Sequence, residues 1–300
     1  MSLLGIGPLC RENSFTNECK YNMKHNLLYT VLAVIFLILP KQSAAQAPTL
    51  GTAADFVLFS SVGAVTNTGI THLTGHVGSN SGASTGFGNV DGVMHDQDPA
   101  SALCAADLTL AYNQLNATIP TFFPGVLLGN GQTLNAGVYA IPAPATMNLI
   151  LNLDGQGDPN AVFIFQINGT FSTGAGAKLM LLNGAQACNV FWKVEGGVNL
   201  AAGTTMRGTI IANNAAIVMS IGDTLEGRAL STNGAVSVTG ITAFKPLGCG
   251  SPVLTGPANP IMGTTECFAL FSGIGPVTNN GITNVIGDVG TNSGLTTGFN

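Results

Sequence analysis

The sequence predicts a mainly β chain wound as a β-solenoid, on three observations. The first is composition: 46% of the residues are hydrophobic and 8% charged, with 40 Gly and 14 Pro among 300 residues. That mixture is poor in helix formers and rich in turn punctuation. The second is a fine repeat. "VNLAAGTTMRGTIIA" (198–212) sits over "IVMSIGDTLEGRALS" (217–231) at a spacing of 19, with Gly203/Gly222, Thr205/Thr224 and Gly208/Gly227 in register. "VSVTGITAF" (236–244) follows at the same spacing, and "FSTGAGAKLM" (171–180) precedes at 27. The third is alternation inside these segments, which gives each short strand an apolar side. Rungs of this kind bury that side only by stacking on one another.

Taken from the N-terminus, residues 1–22 read as an upstream segment that is not native protein, with Met23 as the start. Residues 23–45 read as a signal peptide: Lys24 and His25, an apolar run from Leu27 to Leu39, then small residues at Ser43 and Ala45 before a cut at Gln46. That run is too short to span a bilayer, which takes about 20 residues. Export predicts a secreted or cell-surface protein. Four of the nine basic and two of the fourteen acidic residues precede residue 46, so the remainder carries five against twelve, net −7. Five scattered cations cannot neutralise a phosphate backbone, which excludes nucleic acid as a partner.

Residues 46–246 form the expected solenoid domain. In its repeats Val198, Leu200, Ile217, Met219, Val236 and Val238 are expected to point inward. Outward, two columns are expected: Ser172/Asn199/Val218/Ser237 and Gly174/Ala201/Ser220/Thr239. "NAVFIFQI" (160–167) and "NVFWKV" (189–194) are continuously apolar and read as strands covered on both faces, with Trp192 in the core. One segment, residues 98–120, is a helix instead. Asp98 caps it, Pro99 is its first residue, Pro120 ends it, and Leu103, Leu110, Ala111, Leu115 and Thr118 form the stripe that packs on the solenoid.

Residues 247–265 read as a linker, and 266–300 as the start of a second domain. At an offset of 212 residues, Leu58–Gly88 aligns without gaps on Leu270–Asn300, and "VTNTGITHLTGHVGSNSG" (65–82) returns as "VTNNGITNVIGDVGTNSG" (277–294).

Chemistry-bearing constellations are few. His72 and His76 become Asn284 and Asp288 in the repeat, so the unit does not require imidazole, and no partner for acid–base work is evident. Asp91, His95, Asp96 and Asp98 lack the spacing of a Ca²⁺ loop and read as loop solvation plus the helix cap. Asp154 and Asp158 stand beside Gly or Pro in turns rather than as paired catalytic acids. No catalytic centre, metal or cofactor is expected. Four cysteines of the exported part, Cys104, Cys188, Cys249 and Cys267, allow three connectivities. Cys104 and Cys188 are expected as a buried pair or neighbouring thiols, and Cys249 and Cys267 as a bridge across the linker. The sequons at Asn116 and Asn168 matter only in a glycosylating host.

Read in order, "TNTGIT", "GHVGSNSG", "ALCAADLTLAYNQL", "GDPNAVFIFQI", "GAQACNVFWKVEGGVNL", "MRGTIIA", "LEGRALS" and "GAVSV" resemble the microbial ice-binding protein family over residues 52–245, with a partial second copy at 266–300. The resemblance implies an irregular, three-faced, right-handed β-helix with one long α-helix alongside. It also implies ice adsorption through a flat face bearing motifs of the type Thr-Ala/Gly-x-Thr/Asn. "TGIT" (239–242) fits that motif, as does "TGFN" (297–300) in the partial copy. The expected contact residues are Ser172, Asn199, Ala201, Ser220, Ser237, Thr239 and Thr242, and the expected partner is an ice crystal or another extended extracellular surface. Because Ala201 and Val218 interrupt the hydroxyls, modest activity is expected, with a structural or adhesive module as the alternative.

Overall fold

Each rung of the structure is one pass of the chain through three short strands, and every strand pairing is parallel. This computed structural model describes residues 45–88, 90–246, 248 and 263–299; all of the signal peptide but Ala45, together with Cys249 and nearly all of 247–262, lies outside them. Three faces result. The flat face is an eight-stranded sheet of Leu127–Gly129, Ala145–Asn148, Phe171–Thr173, Val198–Leu200, Ile217–Met219, Val236–Thr239, Val65–Thr68 and Ser84–Thr85, in that spatial order. A helix-covered face and a third face share a 14-stranded sheet, because the strands Thr205–Ala212 and Thr224–Ser231 each bend round the corner between them. The bend needs glycine: a Cβ on Gly227 would lie 1.9 Å from the carbonyl oxygen of Gly208 on the next rung.

The spatial order is not the chain order. The strands Phe56–Ser60, Val65–Thr68 and His72–Thr74 stack on the rung made by Thr224–Ser231, Val236–Thr239 and Thr242–Phe244. The helix α1 (Pro99–Ala117) then links these N-terminal rungs to the strand Leu127–Gly129 at the opposite edge of the flat sheet. Two layers of core follow. Inside the coil, the six positions expected to point inward are all at most 2% exposed. Four stacked rings, Tyr139, Phe165, Trp192 and Phe171, fill the centre, with Phe165 and Trp192 at 4.0 Å.

The second layer lies between α1 and the outward side chains Phe59, Val138, Ile164, Phe191, Ile211 and Leu230 of the helix-covered face. α1 starts as expected: Asp98 accepts from the Ser101 amide at 2.8 Å, the Ser101 hydroxyl accepts from the Asp98 amide, and Pro99 is the first helical residue. Its buried stripe differs. Ser101, Cys104, Leu108, Ala111 and Leu115 are buried, while Leu103 and Leu110 are exposed. The choice among leucines depends on which side of the helix meets the sheet, and the 4, 3, 4 spacing from Cys104 to Leu115 skips both exposed ones. Asp98→Ala is expected to lower the melting temperature by about 2–4 °C at neutral pH. The hydrogen bond from the Ser101 amide, then that from His95, hold the Asp98 carboxyl below its ordinary range. The cap's stabilisation is therefore present above the unfolded carboxylate pKa and lost as pH falls through the lowered one, so melts of mutant and wild type should converge in acid.

Cys104 and Cys267 carry free thiols and Cys188 is disulfide-bonded, so neither expected pairing, Cys104 with Cys188 or Cys249 with Cys267, is formed. Geometry explains the first. Cys104 is sealed under α1, whereas Cys188 sits in the 3-10 turn Ala187–Asn189 beside Gly248. Residues 263–265, expected as linker, belong to the 3-10 turn Gly263–Cys267.

The 212-residue repeat is reproduced in two of its strand pairings. Leu58↔Val77 and Thr66↔Thr85 recur as Leu270↔Val289 and Thr278↔Thr297, and even the irregularity after Phe56 recurs after Phe268. Asn67 donates to the carbonyls of Gly69 and Gly86 and accepts from Thr71; Asn279 does the same with Gly281, Gly298 and Thr283. This asparagine clamps the corners of two successive rungs, which is why "VTN.GIT" is spelled twice.

Candidate functional site

The flat face is built by alternation. With Val65, Phe171, Val198, Ile217 and Val236 turned inward, one outward residue per strand is left at the middle of the face, and pairing lines these up as Leu127, Thr146, Ser172, Asn199, Val218, Ser237, Thr66 and Thr85. Rung separation of about 4.8 Å makes this column about 33 Å long. A second column along one edge holds Asn148, Ala201, Ser220, Thr239 and Thr68, of which Thr68 and Thr239 are direct register partners. Neither column contains a charged residue.

Of the expected residues, Ser172, Asn199, Ala201, Ser220, Ser237 and Thr239 all fall on this face, and Asn199 and Thr239 are exposed. Thr242 does not. It lies in the strand Thr242–Phe244 on the third face, because the chain turns at Gly240 and buries Ile241 between the two threonines. Reading residues 171–244 alone missed Thr66, Thr68, Thr85 and Thr146. A signal was present for Thr68, since "TGIT" occurs at 68–71 as well as at 239–242.

The hydroxyls are not equally available. Thr66 donates to Ser237 at 3.1 Å, Thr146 and Ser172 bond each other at 3.0 Å, and Ser220 donates to the Leu200 carbonyl at 2.8 Å. These bonds hold the side chains in fixed rotamers and flatten the face. Beneath the edge column, Asp223 accepts from the Thr204 amide at 2.9 Å and the Ser220 amide at 2.7 Å, and Thr204 meets Thr173 at 2.8 Å. Burial pushes the Asp223 carboxyl up to about 6 despite those amides.

A carboxyl whose folded pKa is raised contributes stability below its unfolded value, and that stability is lost as pH rises through about 6. The span is on the order of 2–3 kcal/mol between pH 4 and 7.5. His76 opposes it: burial and the neighbouring His95 lower its pKa, so its stabilisation is lost as pH falls. The measurement that isolates Asp223 is the pH dependence of melting in Asp223→Asn against wild type. The mutant curve is expected to lack the decline between about pH 4 and 6.5.

The remaining constellations are structural. Asp96 accepts from the amides of Ser79 and Ser84 and the Ser84 hydroxyl, and Asp98 is the cap. His76 packs edge-on to His95 and Phe56, in a partly buried position rather than a solvated turn. Asp154 and Asp158 each accept from the amide two residues on, as turn residues do. Among the described residues no group of three or more His, Cys, Asp or Glu side chains could hold a metal ion.

The family model described as "Ice-binding-like" matches residues 59–243. The chain belongs to this ice-binding-like family. An ice-binding protein of Nostoc sp. (strain HG1) is 38% identical over 225 residues, covering 72% of this chain and 82% of that protein. Among solved structures, an ice-binding protein from an Antarctic Flavobacteriaceae bacterium is 60% identical with a TM-score of 0.75, and covers 85% of this chain. This chain spans only 60% of that one's length. The ice-binding protein of the Antarctic ascomycete Antarctomyces psychrotrophicus is 34% identical with a TM-score of 0.63, covering 66% of this chain and 97% of its own. The ice-binding-like chain thus shares its solenoid with proteins of bacterial and fungal origin.

Proposed function

We propose that this chain adsorbs to ice through the flat face and has no catalytic role. The observation that carries the reading is the face itself: eight parallel rungs, two uncharged columns, and side chains held at the spacing of the backbone. Hydroxyl and methyl groups at about 4.8 Å along the stack and 6.6–6.8 Å along a strand can hold water in positions compatible with an ice plane, and charges there would orient it otherwise. Relatives in bacteria and fungi are named ice-binding proteins, which favours the same partner here. Leu127, Ala201 and Val218 break the hydroxyl pattern, so the expected thermal hysteresis is modest.

The test is ice-affinity partition: the protein is expected to enter a slowly growing ice fraction while a control protein stays in the liquid. Its failure to do so would leave the adhesive reading. Residues 263–299, with the same pairings as the first copy, are part of a second module of the same kind, and linked modules raise avidity for a repetitive surface. Export completes the proposal. Secreted material is expected to begin at Gln46 on N-terminal sequencing, and an intact Met23 would refute the cut.

A further inference from the structure

Five hydroxyls without a partner in the protein stand close together at one corner. Among the described residues, the side-chain hydroxyls of Thr68 and Thr239 on the edge of the flat face have no hydrogen-bond partner, and neither do those of Thr205, Thr224 and Thr242. The last three belong to the third face, just round the corner. They are in register, Thr205↔Thr224↔Thr242, and point outward because Met206, Leu225 and Ala243 beside them are at most 1% exposed. Each lies three or four residues after its counterpart on the flat face, Ala201, Ser220 or Thr239. The corner between the two columns is rigid. It turns on Gly203, Gly222 and Gly240, all with positive φ, and is held from within by Asp223 and Thr204.

The strip is short. It extends over three rungs, about 10 Å, with Lys178 in register at one end and His72 at the other, and the Arg207–Glu226 ion pair lies beside it. It is therefore too small to anchor the molecule by itself. Resting on the reading that the flat face adsorbs to ice, we propose that Thr205, Thr224 and Thr242 form a second ice-contacting strip. The adsorption surface then wraps the corner, and a molecule held by its flat face also engages a second crystal plane. Threonine suits this role, since its methyl and hydroxyl sit on a stiff β-branched carbon and are ordered before ice arrives.

The experiment is ice-plane labelling with fluorescently tagged protein on single-crystal hemispheres, with thermal hysteresis measured alongside. Wild type is expected to label two families of planes. Thr224→Tyr is expected to lose one family and about half the hysteresis while still partitioning into ice, and Thr242→Tyr, at an exposed position, repeats the test should Thr224→Tyr fail to fold. Thr133→Tyr, on the third face away from the corner, is expected to behave as wild type. Two plane families and full hysteresis in a folded Thr224→Tyr or Thr242→Tyr, or a single family in wild type, would overturn the second strip and leave the flat-face reading standing. No partition of wild type would overturn that reading first.

Discussion

Ser237→Tyr is expected to remove at least nine-tenths of the thermal hysteresis and to abolish ice shaping. Ser237 stands in the central column of the flat face, paired on one side with Val218 and on the other with Thr66, and its hydroxyl accepts from that of Thr66. A phenol there would rise above every neighbour in the column and hold the remaining rungs off the crystal. Surface matching fails all at once because the rungs are rigidly joined and cannot move independently. The fold is expected to survive, since Val236 and Val238 on either side supply the burial and replacement of an outward side chain shifts stability by about 0.5 kcal/mol. Thermal melts and far-UV circular dichroism check this beside the ice assay. A folded Ser237→Tyr with hysteresis intact would move adsorption to another face.

Trp192→Ala is expected to have the largest effect on stability. The indole is fully buried, stacked on Phe165 at 4.0 Å and against Phe171 at 5.1 Å, and its Nε1 donates to the Arg207 carbonyl at 3.1 Å. Truncation opens a cavity between three rungs, which costs about 3–5 kcal/mol. It also leaves a carbonyl unpaired near the bend at Gly208, about 1–3 kcal/mol more where water cannot reach it. The melting temperature is expected to fall by about 10 °C or more, measured by circular dichroism because the chain's single tryptophan is lost. Trp192→Phe keeps most of the volume and should lose roughly half as much. A drop of only a few degrees for Trp192→Ala would show that the ring stack is dispensable.

The two experiments bear on different layers, and those layers differ in how much of them was written locally. Inward positions such as Val198, Ile217 and Val236 were legible because alternation in a strand is a property of neighbouring residues, whatever lies above or below. The cap at Asp98 was legible for the same reason. The stripe of α1 was not: Leu103 and Leu108 are equally apolar, and only the sheet beneath the helix selects Leu108. Cysteine pairing failed likewise, since Cys104 lies in the core layer beneath α1 whereas Cys188 belongs to neither core layer and sits in the 3-10 turn Ala187–Asn189.

By itself the sequence determined the rung length, the face on which each of its repeats turns a side chain, the corner glycines and the family. What only the tertiary structure decided is which rungs are neighbours. Val65–Thr68 stacks on Val236–Thr239, some 171 residues away, and so brings Thr66, Thr68 and Thr85 into the flat face. Gly240 then separates Thr239 from Thr242 onto two faces that the motif alone joined. Side-chain direction follows from the short-range geometry of the backbone. Rung order follows from long-range burial and the completion of parallel ladders, for which a strand carries no local signature.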